Sequence, residues 1–80
     1  MAQHDIVSPL PGTFYRRSSP DAAPLVEIGS EIDEGTTVGL VEVMKQFSEI
    51  EATAKGRVTE ILAEDGEPVD AGQVLMRIEG

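Results

Sequence analysis

Eighty residues hold one small domain with one modest core. The absence of cysteine removes disulfides, thiol catalysis and iron–sulfur ligation, and a net charge of −9 lacks the clustered cations of a nucleic-acid surface. No apolar run has membrane-spanning length and Met1-Ala2-Gln3-His4-Asp5 has no signal character, so the expectation is a cytoplasmic protein with no nucleic-acid and no membrane partner.

In chain order, seven short segments read as strands: Asp5–Ser8, Thr13–Arg16, Leu25–Ile28, Thr37–Val41, Ser48–Ala52, Arg57–Ala63 and Val74–Ile78. Glycine or proline separates most of them. Gly29, Gly35, Gly66 and Gly72 can supply the positive φ of tight turns. The reading is all-β.

The chain also repeats itself. Gly29-Ser30-Glu31-Ile32-Asp33-Glu34-Gly35 returns 37 residues later as Gly66-Glu67-Pro68-Val69-Asp70-Ala71-Gly72. The register continues from Val38 to Leu75 and from Val41 to Ile78. Upstream, Gly12-Thr13-Phe14 is answered 44 residues later by Gly56-Arg57-Val58, so the first half carries seven extra residues. The turn-rich run Ser18-Ser19-Pro20-Asp21-Ala22-Ala23-Pro24 has no periodic apolar pattern and holds that insertion. Two copies of one four-strand unit predict a closed or flattened β-barrel with pseudo-twofold symmetry. Ile32, Val69, Val41 and Ile78 fall at equivalent places and are expected in its core.

Symmetry marks one special point. The second half ends at the chain terminus, whereas the first must connect onward through Val43-Met44-Lys45-Gln46-Phe47. Nothing in that run is Gly, Pro, Asn or Asp, the residues of a tight hairpin. A turn without turn residues accepts backbone strain, and strain gathers at functional sites. Lys45 is one of only two lysines. Catalytic machinery has no counterpart here: the single histidine, His4, lies near the terminus, no serine has a histidine partner, and the acids are scattered rather than set in a calcium loop.

Glu42-Val43-Met44-Lys45, at the junction of duplicated halves, resembles the biotinyl domains of biotin-dependent carboxylases. Gly12-Thr13-Phe14-Tyr15-Arg16, followed by Ser19-Pro20-Asp21-Ala22, is similar to the start and the "thumb" insertion of the biotin carboxyl carriers of bacterial acetyl-CoA carboxylases. The resemblance implies one biotinyl domain over residues 1–80, a flattened β-barrel or sandwich of two four-stranded antiparallel sheets, with the thumb at about 15–24. It implies biotin joined by an amide bond to Lys45, with Val43, Met44 and Gln46 flanking it. Biotin protein ligase would attach the group, biotin carboxylase would load it and a carboxyltransferase would unload it, the domain itself catalysing nothing. In the family tetrapeptide Ala-Met-Lys-Met, Val43 and Gln46 replace the outer residues. Arg17 and Ser18 replace the usual thumb Thr and Pro. The resemblance assigns Arg17, Ser18, Ser19, Pro20 and Asp21 to the thumb, where the Arg17 guanidinium can donate hydrogen bonds to the ureido oxygen or to a carboxylate. Three alternatives are a carrier for urea, pyruvate or longer acyl-CoA carboxylation, a lipoyl domain, and an unmodified interaction barrel. Lipoyl domains typically place Asp before the lysine, where this chain has Met44, and lack the thumb.

Overall fold

The structure is a computed structural model and describes residues 2–80. Eight strands follow one another: β1 Gln3–Val7, β2 Gly12–Tyr15, β3 Glu31–Ile32, β4 Thr37–Val43, β5 Gln46–Glu51, β6 Gly56–Ile61, β7 Glu67–Val69 and β8 Val74–Glu79. They form two antiparallel four-stranded sheets in the orders β1-β8-β6-β3 and β5-β4-β2-β7. Exchanging the halves (β1 with β5, β2 with β6, β3 with β7, β4 with β8) turns one order into the other. That is the expected pseudo-twofold sandwich.

Four near-identical turns set the corners. In Glu27–Ser30, Asp33–Thr36, Glu64–Glu67 and Asp70–Gln73, the first carbonyl accepts the fourth residue's N–H at 2.9–3.1 Å. The fourth side chain, Ser30, Thr36, Glu67 or Gln73, accepts the first residue's N–H in return. Glycine stands third in each, at φ between 83° and 95°, as a type II turn demands.

The inner faces of both sheets supply the core. Ile6 and Ile50, Phe14 and Val58, Ile32 and Val69, Val38 and Leu75, and Val41 and Ile78 are buried as symmetry-related pairs. The four core positions expected from the repeat are all among them. At one pair of places the halves divide their volume differently. A Cβ on Gly39 would lie 2.5 Å from Phe14 Cε1, so the phenyl ring occupies the room that glycine leaves. The second half uses the smaller Val58 with the larger Met76, both fully buried.

Leu25–Ile28, expected as a strand, is not one. Only Val26 enters the core, at 5% exposure, while Ile28 sits 67% exposed at the second place of the Glu27–Ser30 turn. The turn starts before the segment can enter a ladder, and the strand of this half is the two-residue β3 beyond it. Its counterpart β7 is equally short, which is why neither stands out in the apolar pattern.

Phe14→Val should cost about 2–4 kcal/mol through the cavity it leaves, and Gly39→Met about 1–3 kcal/mol or more through overpacking. The double variant copies the solution of the other half, so its denaturation midpoint should exceed that of either single variant. Simple additivity would disprove the proposed exchange of volumes.

Candidate functional site

β4 and β5 are joined by two residues only, because Val43 already pairs with Gln46. Met44 and Lys45 both adopt left-handed backbone, at φ 51° and 66°, and are the only non-glycine residues with positive φ among those described. Two positive φ angles in a two-residue hairpin define a type I′ turn, which Asn-Gly or Gly-Gly would favour. Each non-glycine residue held there costs on the order of 1 kcal/mol or more. Met44 is 91% exposed and so recovers little of that through packing. The ladder on either side holds the turn closed, and it projects the Lys45 side chain into solvent. Lys45 forms no ion pair with any described residue.

Strand alternation builds the surface behind this tip. Phe14, Val41 and Ile50 point inward, so Tyr15, Glu42 and Phe47 share the outer face of the β5-β4-β2-β7 sheet. The Tyr15 and Phe47 ring centroids are 6.0 Å apart at a tilt of 51°. The Tyr15 hydroxyl donates to Glu42 Oε1 at 3.1 Å, and this bond to a carboxylate holds the phenol pKa above its ordinary value. Thr37 donates its hydroxyl to Glu49 Oε1 at 2.9 Å on the same sheet. The ion-paired arginines belong to the other sheet, where Arg77 bridges Asp5 and Glu60 and Arg57 meets Glu31.

β2 ends at Tyr15 and the inserted loop leaves through a narrow neck. The Arg16 N–H donates to Asp65 Oδ1 at 2.8 Å, and its carbonyl accepts the Leu25 N–H at 2.7 Å. Arg16 also donates from Nη2 to the Val26 carbonyl at 3.2 Å. Inside the loop, Ser19–Ala22 forms a β-turn with Pro20 second, where its fixed φ suits the geometry. Arg17 Nη1 donates to the Ala22 carbonyl at 3.4 Å, bracing the loop from within.

A cavity of about 240 Å³ lies between Arg17–Pro20, the Tyr15 and Phe47 rings and Asp65. A larger open depression of about 660 Å³ lies on the other sheet, around Glu31, Asp33, Lys55, Arg57 and Glu79. Arg57 and Glu31 pair within it, and the β4–β5 hairpin contributes nothing to it. The smaller cavity has the better claim, since Phe47 joins it to the lysine-bearing hairpin.

Of the residues expected from sequence, Val43, Met44, Lys45 and Gln46 form the hairpin tip, all exposed. Arg17, Ser18, Ser19 and Pro20 form one wall of the cavity. Asp21 is exposed at the third place of the Ser19–Ala22 turn and does not line it. The connection is tighter than the five-residue run expected, and Gln46 and Phe47 belong to β5. Phe47, 58% exposed, and Asp65 are contributors that sequence reasoning missed. Counting back from an inward Ile50 would have placed Phe47 outward. Comparing Asp65 with Ile28, its repeat equivalent, would have flagged the acid.

The family described as "Biotin-requiring enzyme" matches residues 4–78. Among curated relatives, the biotin carboxyl carrier protein of acetyl-CoA carboxylase from Nostoc sp. (strain PCC 7120) is 50% identical over 92% of this chain and 41% of its own length. The protein of the same description from Chlamydia trachomatis is 49% identical over 96% of this chain and 48% of its own. That from Pseudomonas aeruginosa is 44% identical over 89% of this chain and 46% of its own. The chain therefore spans less than half the length of each of these relatives. Among solved structures, Kluyveromyces lactis urea carboxylase superposes with a TM-score of 0.79 at 25% identity, over 99% of this chain and 6% of that one. A single-chain, multi-domain long-chain acyl-CoA carboxylase gives 0.78 at 20% identity, over 94% of this chain and 7% of that one, and attests to the fold.

The strained turn and the Tyr15–Glu42 bond can each be tested. Met44→Asn with Lys45→Gly should stabilise the fold by about 1–2 kcal/mol, read from denaturant midpoints; no gain would mean the turn is unstrained. Tyr15 is the only tyrosine, so ultraviolet absorbance follows its ionisation alone. Its titration should lie above the usual tyrosine range and fall back in Glu42→Gln. The sign follows from the raised pKa: the bond stabilises the fold below the unfolded tyrosine pKa and is lost as pH rises through the folded one.

Proposed function

The chain belongs to the biotin-requiring enzyme family, and from that premise we propose that it is the biotin-bearing domain of a carboxyl carrier of acetyl-CoA carboxylase. The observation that carries the reading is Lys45 itself, an amine paired with no described residue on a strained hairpin tip, with Met44 before it. A lipoyl assignment is disfavoured by that Met44 and by the inserted loop.

The residues present suit a covalently held biotin. Its carboxyl end would form the amide with Lys45 Nζ, which forms no ion pair with a described residue. The cavity beside the hairpin offers two aromatic rings together with the Arg17 guanidinium and the Ser18 and Ser19 hydroxyls, a match for a ring system with apolar and ureido parts. Bound biotin supplies a ureido nitrogen that accepts and releases a carboxyl group.

The chain's own share is positional. An amine attacks only when deprotonated, and Lys45 makes no ion pair with any described residue that would tune it, so activation falls to biotin protein ligase. The hairpin presents the arm beyond the barrel, where biotin carboxylase and a carboxyltransferase can take it in turn, while the chain catalyses neither step. Tethering raises the group's effective concentration at both sites without new contacts. On the hairpin sheet, Glu42 and Glu49 bond to neutral hydroxyls and form no ion pair with any described residue, which favours encounter with basic partner surfaces. Arg17, Ser18, Ser19, Pro20 and Asp21 act as a thumb that limits where the tethered ring travels.

Incubation with ligase, ATP and biotin should add one biotin to the intact mass. Lys45→Arg should abolish the gain while stability stays within about 0.5 kcal/mol, as befits an exposed side chain. Lys55→Arg should be modified normally. Biotin on Lys55, or on neither lysine, would overturn the assignment.

A further inference from the structure

We infer that Asp65 is the residue that aims the thumb: by capping the Arg16 N–H it fixes the direction in which the inserted loop leaves the barrel. The inference deepens the carrier reading and rests on it for its consequence, while its structural half stands on the neck geometry alone.

Comparison of the halves shows why such a residue is needed. In the second half, β6 bulges at Thr59 and rejoins its ladder, pairing Glu60 with Arg77 and Ile61 with Met76. In the first half, β2 has its last β4 pair at Tyr15 with Leu40, and the next N–H, that of Arg16, has no strand to pair with. Asp65 Oδ1 takes it at 2.8 Å. On the other side of the same residue, the returning chain donates the Leu25 N–H to the Arg16 carbonyl. Arg16 is thus gripped from both sides, once by the loop's own end and once by the opposite half.

Asp65 stands second in the Glu64–Glu67 turn, and that turn is itself pinned to β2 because the Gly66 N–H donates to the Phe14 carbonyl at 2.7 Å. The equivalent turn has the equivalent bond, from the Gly29 N–H to the Val58 carbonyl at 2.8 Å, but carries the exposed Ile28 where this one carries Asp65. The half that lacks an insertion to receive supplies the carboxylate, and the half that has the insertion supplies none. Asp65 also lines the cavity under Arg17–Pro20, so the group that orients the neck bounds the space the loop encloses. A charge-assisted bond to a backbone N–H suits this task, being stronger than a neutral one. Asp65 is a positioning residue; it acts on the tethered group through the loop.

The test compares the wild-type domain with Asp65→Ala, Asp65→Asn and Asp65→Ile. Asparagine keeps an acceptor oxygen, and isoleucine is what the equivalent turn already tolerates, which secures a folded variant without the bond. In the unmodified domain, Asp65→Ala and Asp65→Ile should speed Arg16 amide exchange about tenfold or more. They should also lower the 15N order parameters of Arg17–Ala23 from about 0.85 towards 0.6, with Asp65→Asn restoring both. In the biotinylated domain, ring contacts to Tyr15 and Phe47 should weaken in Ala and Ile and return in Asn, at equal biotin content by mass. Loop dynamics unchanged in Ala and Ile would overturn the inference whatever becomes of the carrier reading. A loosened loop with unaltered ring contacts would overturn its functional half. Failure of every variant, wild type included, to accept biotin would count against the carrier reading alone, with the relaxation data still deciding the role of Asp65.

Discussion

Ile6, Phe14, Ile32, Val38 and Val41 come from the first half of the chain and Ile50, Val58, Val69, Leu75 and Ile78 from the second, and they are buried only because the two sheets close over one another. Each sheet interleaves two strands from each half, so neither half completes a sheet or shields an apolar face alone. No cysteine is present to brace these residues with a disulfide. Cooperative closure around one shared core is therefore the condition on which every local feature depends, including those that are unfavourable by themselves.

The β4–β5 hairpin is the clearest of these. Left-handed backbone at Met44 and Lys45 runs against local preference, and their side chains contribute little packing in return. Such a turn persists because β4 and β5 are paired on both sides of it and anchored below by Val41 and Ile50. The sequence there is chosen for what the tip must present, and the sandwich behind it supplies the rigidity. A rigid base matters for a tethered group, because an arm on a yielding base would lose the positional advantage that tethering brings.

Much of this was legible in the residues. The repeat at Gly29–Gly35 and Gly66–Gly72 predicted the symmetry, the core pairs and the hairpin where the halves join. The apolar cluster Leu25–Ile28 misled because periodicity ignores the turn that Gly29 imposes, whereas the two-residue β3 and three-residue β7 are too short to leave a pattern. Lys45 stood out by position, but the exposed ring of Phe47 did not, since the run Val43–Phe47 read as a connection, whereas Phe47 belongs to β5 and alternates outward from the inward Ile50. Asp65 was less legible still. Its role exists only across 49 residues of sequence, between a turn of one half and the neck of a loop in the other.

Departures from symmetry are where the molecule's specific work is concentrated. Phe14 with Gly39, against Val58 with Met76, is an exchange of volume within the buried core, away from the hairpin tip. The ion pairs of Arg57 and Arg77 lie on the outer face of one sheet, whereas Glu42 and Glu49 on the other bond to neutral hydroxyls and pair with no described cation. The inserted loop, the aromatic pair and the lysine hairpin all fall on that second sheet. A duplicated fold starts with two equivalent faces and two equivalent ends. Differentiating only one of them keeps the core common to both halves intact, while the changes that recognition requires accumulate where they disturb it least.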